Sequence, residues 1–101
     1  MEILYEEKDN CFIGITWSKE LNSWIMHADC KSWSHNSFKR YLKGLEIAKQ
    51  KLRARNIKEV YGICRSEKQR KFNLVFGAKA VPNGVLLSAD GLLNYLTVLE
   101  I

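Results

Sequence analysis

Phe38-Lys39-Arg40-Tyr41-Leu42-Lys43-Gly44-Leu45-Glu46-Ile47-Ala48-Lys49-Gln50-Lys51-Leu52-Arg53 is the stretch on which the fold turns. Phe38, Tyr41, Leu42, Leu45, Ala48 and Leu52 recur at intervals of three and four. Lys39, Lys43, Glu46, Lys49, Gln50 and Arg53 take the opposite face. That period is an amphipathic helix with one apolar stripe. Ser34, Asn36 and Ser37 can each serve as its N-cap, and Arg53, Arg55 and Asn56 give it a cationic end with a residue suited to a left-handed C-cap. Gly44 inside the helix costs about 1 kcal/mol relative to alanine, so it marks close packing against a neighbouring element.

Upstream of the helix the period is two. Ile3–Glu7, Cys11–Trp17 and Trp24–Cys30 are β-branched and aromatic, and they are separated by Asp9-Asn10 and by the polar run from Ser18 to Ser23. Three antiparallel strands are expected. Downstream, Glu59–Cys64 reads as a buried strand, parallel to the third because a single helix connects the two. Ser66 with Gln69 three residues on is a helix start, followed by Phe72, Val75 and Phe76 on one face and Gly77 at the C′ position. Lys79-Ala80-Val81 leads into a strand, Pro82-Asn83-Gly84 is a turn signal, and Val85–Ser88 and Leu93–Leu99 form a closing pair joined around Asp90-Gly91. The predicted fold is α/β of the α+β kind: a mixed, mainly antiparallel central sheet in the order β-β-β-α-β-α-β-β, in one domain spanning residues 1–101.

A chain of 101 residues with nearly half of them apolar suits one shared core. No eighteen-residue apolar run occurs and the N-terminus is acidic, so the expectation is a soluble intracellular protein with no membrane insertion. Of the net charge of +5, the positive part is concentrated between Lys39 and Lys71, where only Glu46, Glu59 and Glu67 oppose it; the remainder is net acidic. This is the normal dress of solvated helices, and it also permits nucleic acid, an anionic membrane surface or an acidic partner. Cys11, Cys30 and Cys64 are far apart in sequence and read as buried free thiols rather than a disulfide framework or a zinc site.

The order of elements resembles the GNAT acyltransferase fold from its second strand onward, without the two helices near that family's N-terminus. The most specific echo is Ser66-Glu67-Lys68-Gln69-Arg70-Lys71-Phe72-Asn73-Leu74-Val75-Phe76-Gly77-Ala78, which looks like the family's N-x-x-A-x-x-x-Y-x-x-x-G-F segment. Among GNAT-like proteins, Asn22-Ser23-Trp24-Ile25, the Lys39-Arg40 helix start, Phe72 to Ala78 and Tyr95-Leu96-Thr97-Val98 resemble the small internal virion proteins of short-tailed phages. This implies a phage-encoded protein of the host cytoplasm or virion, with a protein partner.

Carried over residue by residue, the resemblance argues against acetyl transfer. The family's Q/R-x-x-G-x-G/A signature falls on Asn36 to Tyr41, with Lys39 and Tyr41 where small residues would expose main-chain amides to a pyrophosphate. The family's tyrosine acid falls on Asn73, whose amide does not titrate usefully, its asparagine on Ser66, and the phenylalanine of G-F on Ala78. The expectation is a protein with no catalytic residue, no cofactor and no metal, in which Trp33, Tyr41 and Tyr61 plug the opening between the third and fourth strands. If it were an active acyl-CoA N-acyltransferase, Asn36, Lys39, Arg40, Ser66 and Asn73 would be its acetyl-CoA-binding residues. A third class is a nucleic-acid binder using the basic helices, with affinity that falls steeply with salt.

The candidate interaction residues are Trp33, His35, Lys39, Arg40, Lys43, Arg65 and Lys68. His27 and His35 lack partners at metal-ligand spacing and read as structural or solvent-exposed. Cys64 ends the central strand with Arg65 beside it but no general base. Trp17, Trp24, Trp33 and Tyr61 could stack on bases, although aromatics on strands more often pack in cores.

Overall fold

The computed structural model describes residues 1–32, 34–87 and 91–101. The period-two segments form β1 (Glu2–Glu7), β2 (Cys11–Ser18) and β3 (Ser23–Cys30), an antiparallel meander. Asp9 and Asn22 take left-handed backbone at the two turns, with φ of 61° and 51°, which short polar side chains tolerate better than most. The three-and-four period forms α1 (His35–Ala54), followed by β4 (Glu59–Cys64), α2 (Glu67–Val75), β5 (Lys79–Leu87) and β6 (Leu93–Glu100). The expected succession of elements is therefore present. The result is an α+β domain with a six-stranded open sheet in the order β1-β2-β3-β4-β6-β5, antiparallel except between β3 and β4. Among the described residues no helix is long and apolar enough to cross a membrane.

Helix ends follow their local chemistry. Ser34 caps α1: its Oγ accepts from the Ser37 amide at 3.2 Å, while Ser37 Oγ accepts from the Ser34 amide at 2.6 Å. At the far end Asn56 adopts φ 60° and the Ile57 amide returns to the Leu52 carbonyl, which closes the helix in the left-handed manner its sequence indicates. Ser66 caps α2 by accepting from the Gln69 amide, and Gly77 ends it at φ 100°.

Both helices lie on one face of the sheet, since the Tyr41 ring of α1 meets Phe72 and Phe76 of α2 at centroid distances of 5.7 and 4.6 Å. They divide the sheet between them: α1 packs against β1 and β2, α2 against β4, β5 and β6. The core is Leu4, Ile13 and Ile15 of the meander, Tyr41, Leu45, Ala48 and Leu52 of α1, and Val60 and Leu99 beyond.

Docking of α1 uses a bulge. The β1/β2 register shifts between Ile3 and Tyr5, and the Leu4 carbonyl at the shift accepts from Lys51 Nζ at 2.6 Å. A backbone acceptor taken out of its ladder thus finds a charged donor on the helix. Tyr5 then lies against Gly44, so closely that a Cβ at residue 44 would collide with the ring.

Of the three N-cap candidates it is Ser34 that caps α1, so the helix begins at His35 with a polar first turn. Three expectations change. Phe38 and Leu42 of the expected apolar stripe are exposed, at 36% and 42%. Val75 is 67% exposed and does not share the Phe72 and Phe76 face. Pro82-Asn83-Gly84 does not separate two strands: β5 runs through it, with its register against β6 shifting between Ala80 and Val85 and Asn83 at φ 58°. Proline and a left-handed residue are accommodated there as a bulge on an edge strand, where no outer partner needs the missing donor. Of the expected joining turn, Gly91 takes φ 81°; Ser88 and Asp90 lie outside the described residues.

Gly44→Ala should lower stability by about 1–2 kcal/mol in urea unfolding, because overpacking against Tyr5 outweighs the gain in helix propensity. In a double-mutant cycle, Tyr5→Ala should remove that penalty.

Candidate functional site

The seam between the two halves of the sheet is the β3/β4 pairing, and it is short. Ile25↔Tyr61 is the register pair that joins these strands. Alternation fixes which backbone groups face the seam. The Ile101 amide donates to the Lys58 carbonyl at 2.9 Å, so with the β4/β6 register Val60, Gly62 and Cys64 turn their hydrogen-bonding groups toward β6. Tyr61 and Ile63 therefore turn theirs toward β3. On the other side the Lys31 amide donates to the Asn10 carbonyl, which assigns the odd residues of β3 to β2 and leaves Met26, Ala28 and Cys30 facing β4. Past the Ile25–Tyr61 pair, the N–H and C=O of Ala28 and Ile63 point into the space between diverging strands.

That space is a cleft of about 500 Å³. Its floor is aromatic, built from Tyr41, Phe72 and Phe76, while His27 and Asp29 of β3 and Lys68 of α2 contribute polar groups. A fixed polar cluster lies in its β4 wall. Asn73 Nδ2 donates to Cys64 Sγ at 3.2 Å and to Thr97 Oγ1 at 3.1 Å, and Thr97 and Cys64 are each 1% exposed. Gly62 is what admits this cluster: a Cβ there would stand 2.7 Å from both Asn73 Nδ2 and Thr97 Oγ1. Burial pushes the Cys64 thiol up; hydrogen bonds from Thr97 and Asn73 and the charge of Arg70 pull the other way without reversing it. The thiol is thus held protonated, and nothing in this arrangement makes it a nucleophile.

Of the three side chains expected to plug the opening, Tyr41 and Tyr61 line the cleft without filling it, and Trp33 lies outside the described residues. Tyr41 is 2% exposed and is turned inward against Phe72 and Phe76, away from the helix start. Asn36 to Tyr41, the segment matched to the phosphate-binding signature, lies wholly within α1; the connection from β3 is residues 31–34, also without glycine.

Of the other residues singled out by sequence, the cleft gathers Asn73 and Lys68. His35, Asn36, Lys39 and Lys43 are exposed along α1, and Arg65 is exposed before α2. Arg40 is committed to an ion pair with Glu7 at 2.9 Å, and Ser66 to its cap. Arg53, Arg55 and Arg70 likewise face Glu46, Glu2 and Glu67. Part of the positive surface is thereby matched by carboxylates. Trp17 and Trp24 meet edge to face at 5.2 Å, with the Arg55 guanidinium 5.4 Å from the Trp24 ring centre. Among the described residues no group of three or more His, Cys, Asp or Glu could hold a metal ion.

Sequence reasoning gave no site role to Asp29, Gly62 or Thr97, and read His27 as structural or solvent-exposed. Gly62, a glycine inside an apolar strand, was the one local signal of close approach. Comparison with protein-family models, with curated proteins and with solved structures found no match.

His27 Nε2 lies 2.8 Å from Thr16 Oγ1, and desolvation, with the positive N-terminus nearby, lowers its pKa below the usual histidine value. The folded state therefore binds fewer protons there than the unfolded chain, so this contribution is present above the unfolded pKa and is lost as pH falls through it toward the folded one. His27→Gln should flatten the decline of Tm between about pH 7 and pH 5, measured by circular dichroism against the parent chain.

Proposed function

We propose that the chain is a GNAT-like protein without acetyltransferase activity, a binding protein that holds an extended segment of a protein partner in the cleft between β3 and β4. The observation that carries this is Asn73. It stands where the resemblance puts a tyrosine acid, its amide is already tied to Cys64 and Thr97, and an amide cannot protonate a leaving thiolate at neutral pH. The succession of elements and the opening between the third and fourth strands are features the resemblance implies. The Ser34–Ser37 box supports the same reading, since it occupies the helix-start amide that would otherwise face an anion. Ala28 and Ile63 supply unladdered backbone groups to which an extended chain adds by main-chain hydrogen bonds. The setting that goes with this is a phage protein acting in the virion or on a host factor.

Isothermal titration with acetyl-CoA should show no micromolar binding, and incubation with acetyl-CoA and amine substrates should release no free thiol above background. Micromolar binding with turnover would overturn the reading.

A second reading, a divergent acyl-CoA N-acyltransferase, is favoured by the openness of the cleft. It requires the exposed side chains of Asn36 and Lys39 to hold phosphates that main chain would otherwise hold, with Arg40 released from Glu7. On that reading an acyl-CoA screen finds turnover, and Lys39→Ala abolishes it; a uniformly negative screen retires it.

A further inference from the structure

The three cysteines are distant in sequence, but two of them are opposite each other in the sheet. Cys11 of β2 pairs with Cys30 of β3, each seven residues out from the turn-closing pair Ser18↔Ser23. Both are free thiols. Because the odd residues of β3 carry the hydrogen bonds to β2, Cys11↔Cys30 is a non-hydrogen-bonded pair. Such pairs hold their Cα atoms about 4.5 Å apart with side chains leaning together, inside the range of about 4.4–6.8 Å that a disulfide spans. The two side chains are close enough to share a hydrogen bond.

We infer that Cys11 and Cys30 are a modification site, a dithiol that closes into an intrachain disulfide across β2 and β3 when the protein meets a low-molecular-weight disulfide such as oxidised glutathione. Cys30 reacts first. It is partly exposed and lines the cleft, whereas Cys11 is 5% exposed. Its thiolate attacks one sulfur of the reagent, forming a mixed disulfide and releasing one glutathione thiolate. The Cys11 thiolate then attacks the Cys30 sulfur, the mixed bond breaks, and a second glutathione leaves. Two protein thiols lose two electrons, the reagent disulfide gains them, and the two protons end on the two glutathione thiols.

The surroundings set the rate. Around Cys30 stand Cys11 of β2, Glu7 of β1 with its partner Arg40, Asp29 of β3 itself, and Tyr41 of α1. Burial first, then the Cys11 hydrogen bond and the negative charges, push the Cys30 thiol up to about 12. The thiolate is therefore scarce at pH 7, and closure should accelerate by about tenfold per pH unit toward pH 9. Cys64 lies on β4, buried and tied to Asn73, and takes no part.

The test is exposure of the 101-residue chain to oxidised glutathione at pH 8.5, followed by alkylation after unfolding and peptide mapping. Cleavage after lysine and arginine places the three cysteines on separate peptides. The expected result is a Cys11–Cys30 linked peptide, alkylation confined to Cys64, and a Tm raised by about 5 °C or more from the closed loop. In Cys11→Ser the glutathione adduct should persist on Cys30. Adducts or intermolecular links without the internal pair, or three alkylated thiols after exposure, would overturn the inference. These outcomes are read on the parent chain and do not depend on the variant folding.

Discussion

The early end of the β3/β4 ladder is the constraint on which the rest of this molecule depends. Parallel strands of eight and six residues lie side by side, yet Ile25↔Tyr61 is the pair that registers them. The helices account for where the sheet divides. α1 is fastened to β1 and β2 through the bulge at Leu4 and the Gly44–Tyr5 contact, while α2 sits over β4, β5 and β6. Beneath the opening the two halves are bridged by Tyr41 with Phe72 and Phe76, and by the aliphatic core that carries Val60 and Leu99. Two well-packed half-sheets thus meet along a short seam, and the seam opens into the cleft.

Each feature of the cleft follows from that division. Strand ends that no longer pair present backbone donors and acceptors, which are costly to bury without partners and so favour a polar occupant or water. The aromatic floor supplies apolar area. The Asn73–Cys64–Thr97 cluster gives the β4 wall a fixed polar surface, satisfied internally, that has no proton to offer near neutral pH.

What could be read in the sequence was local. The α1 helix, the Ser66 cap with Gln69, the left-handed Asn56 and the β4 strand each rest on residues within a few positions of one another, and the structure places them as expected, with the α1 stripe buried at Tyr41, Leu45, Ala48 and Leu52 but not at Phe38 and Leu42. Pro82-Asn83-Gly84 misled because turn chemistry and bulge chemistry use the same residues, and only the neighbouring β6 decides between them. Tyr41 lies on the apolar face as expected, but its direction depends on Phe72 and Phe76, 31 and 35 residues away in the chain. The site was the least legible part. Gly62, Asn73 and Thr97 come from three different elements, and the pairing of Cys11 with Cys30 appears only once the hairpin register is known.

Native-state amide hydrogen exchange, read residue by residue by NMR, tests the central claim most directly. Met26 and Tyr61 lie in the short ladder, and Gly62 bonds toward β6, so their amides should be protected. The amides of Ala28 and Ile63, facing the open seam, should exchange at least about a hundredfold faster. Equal protection of Ile63 and Tyr61 would mean that β3 and β4 are zipped along their length, and would contradict the account.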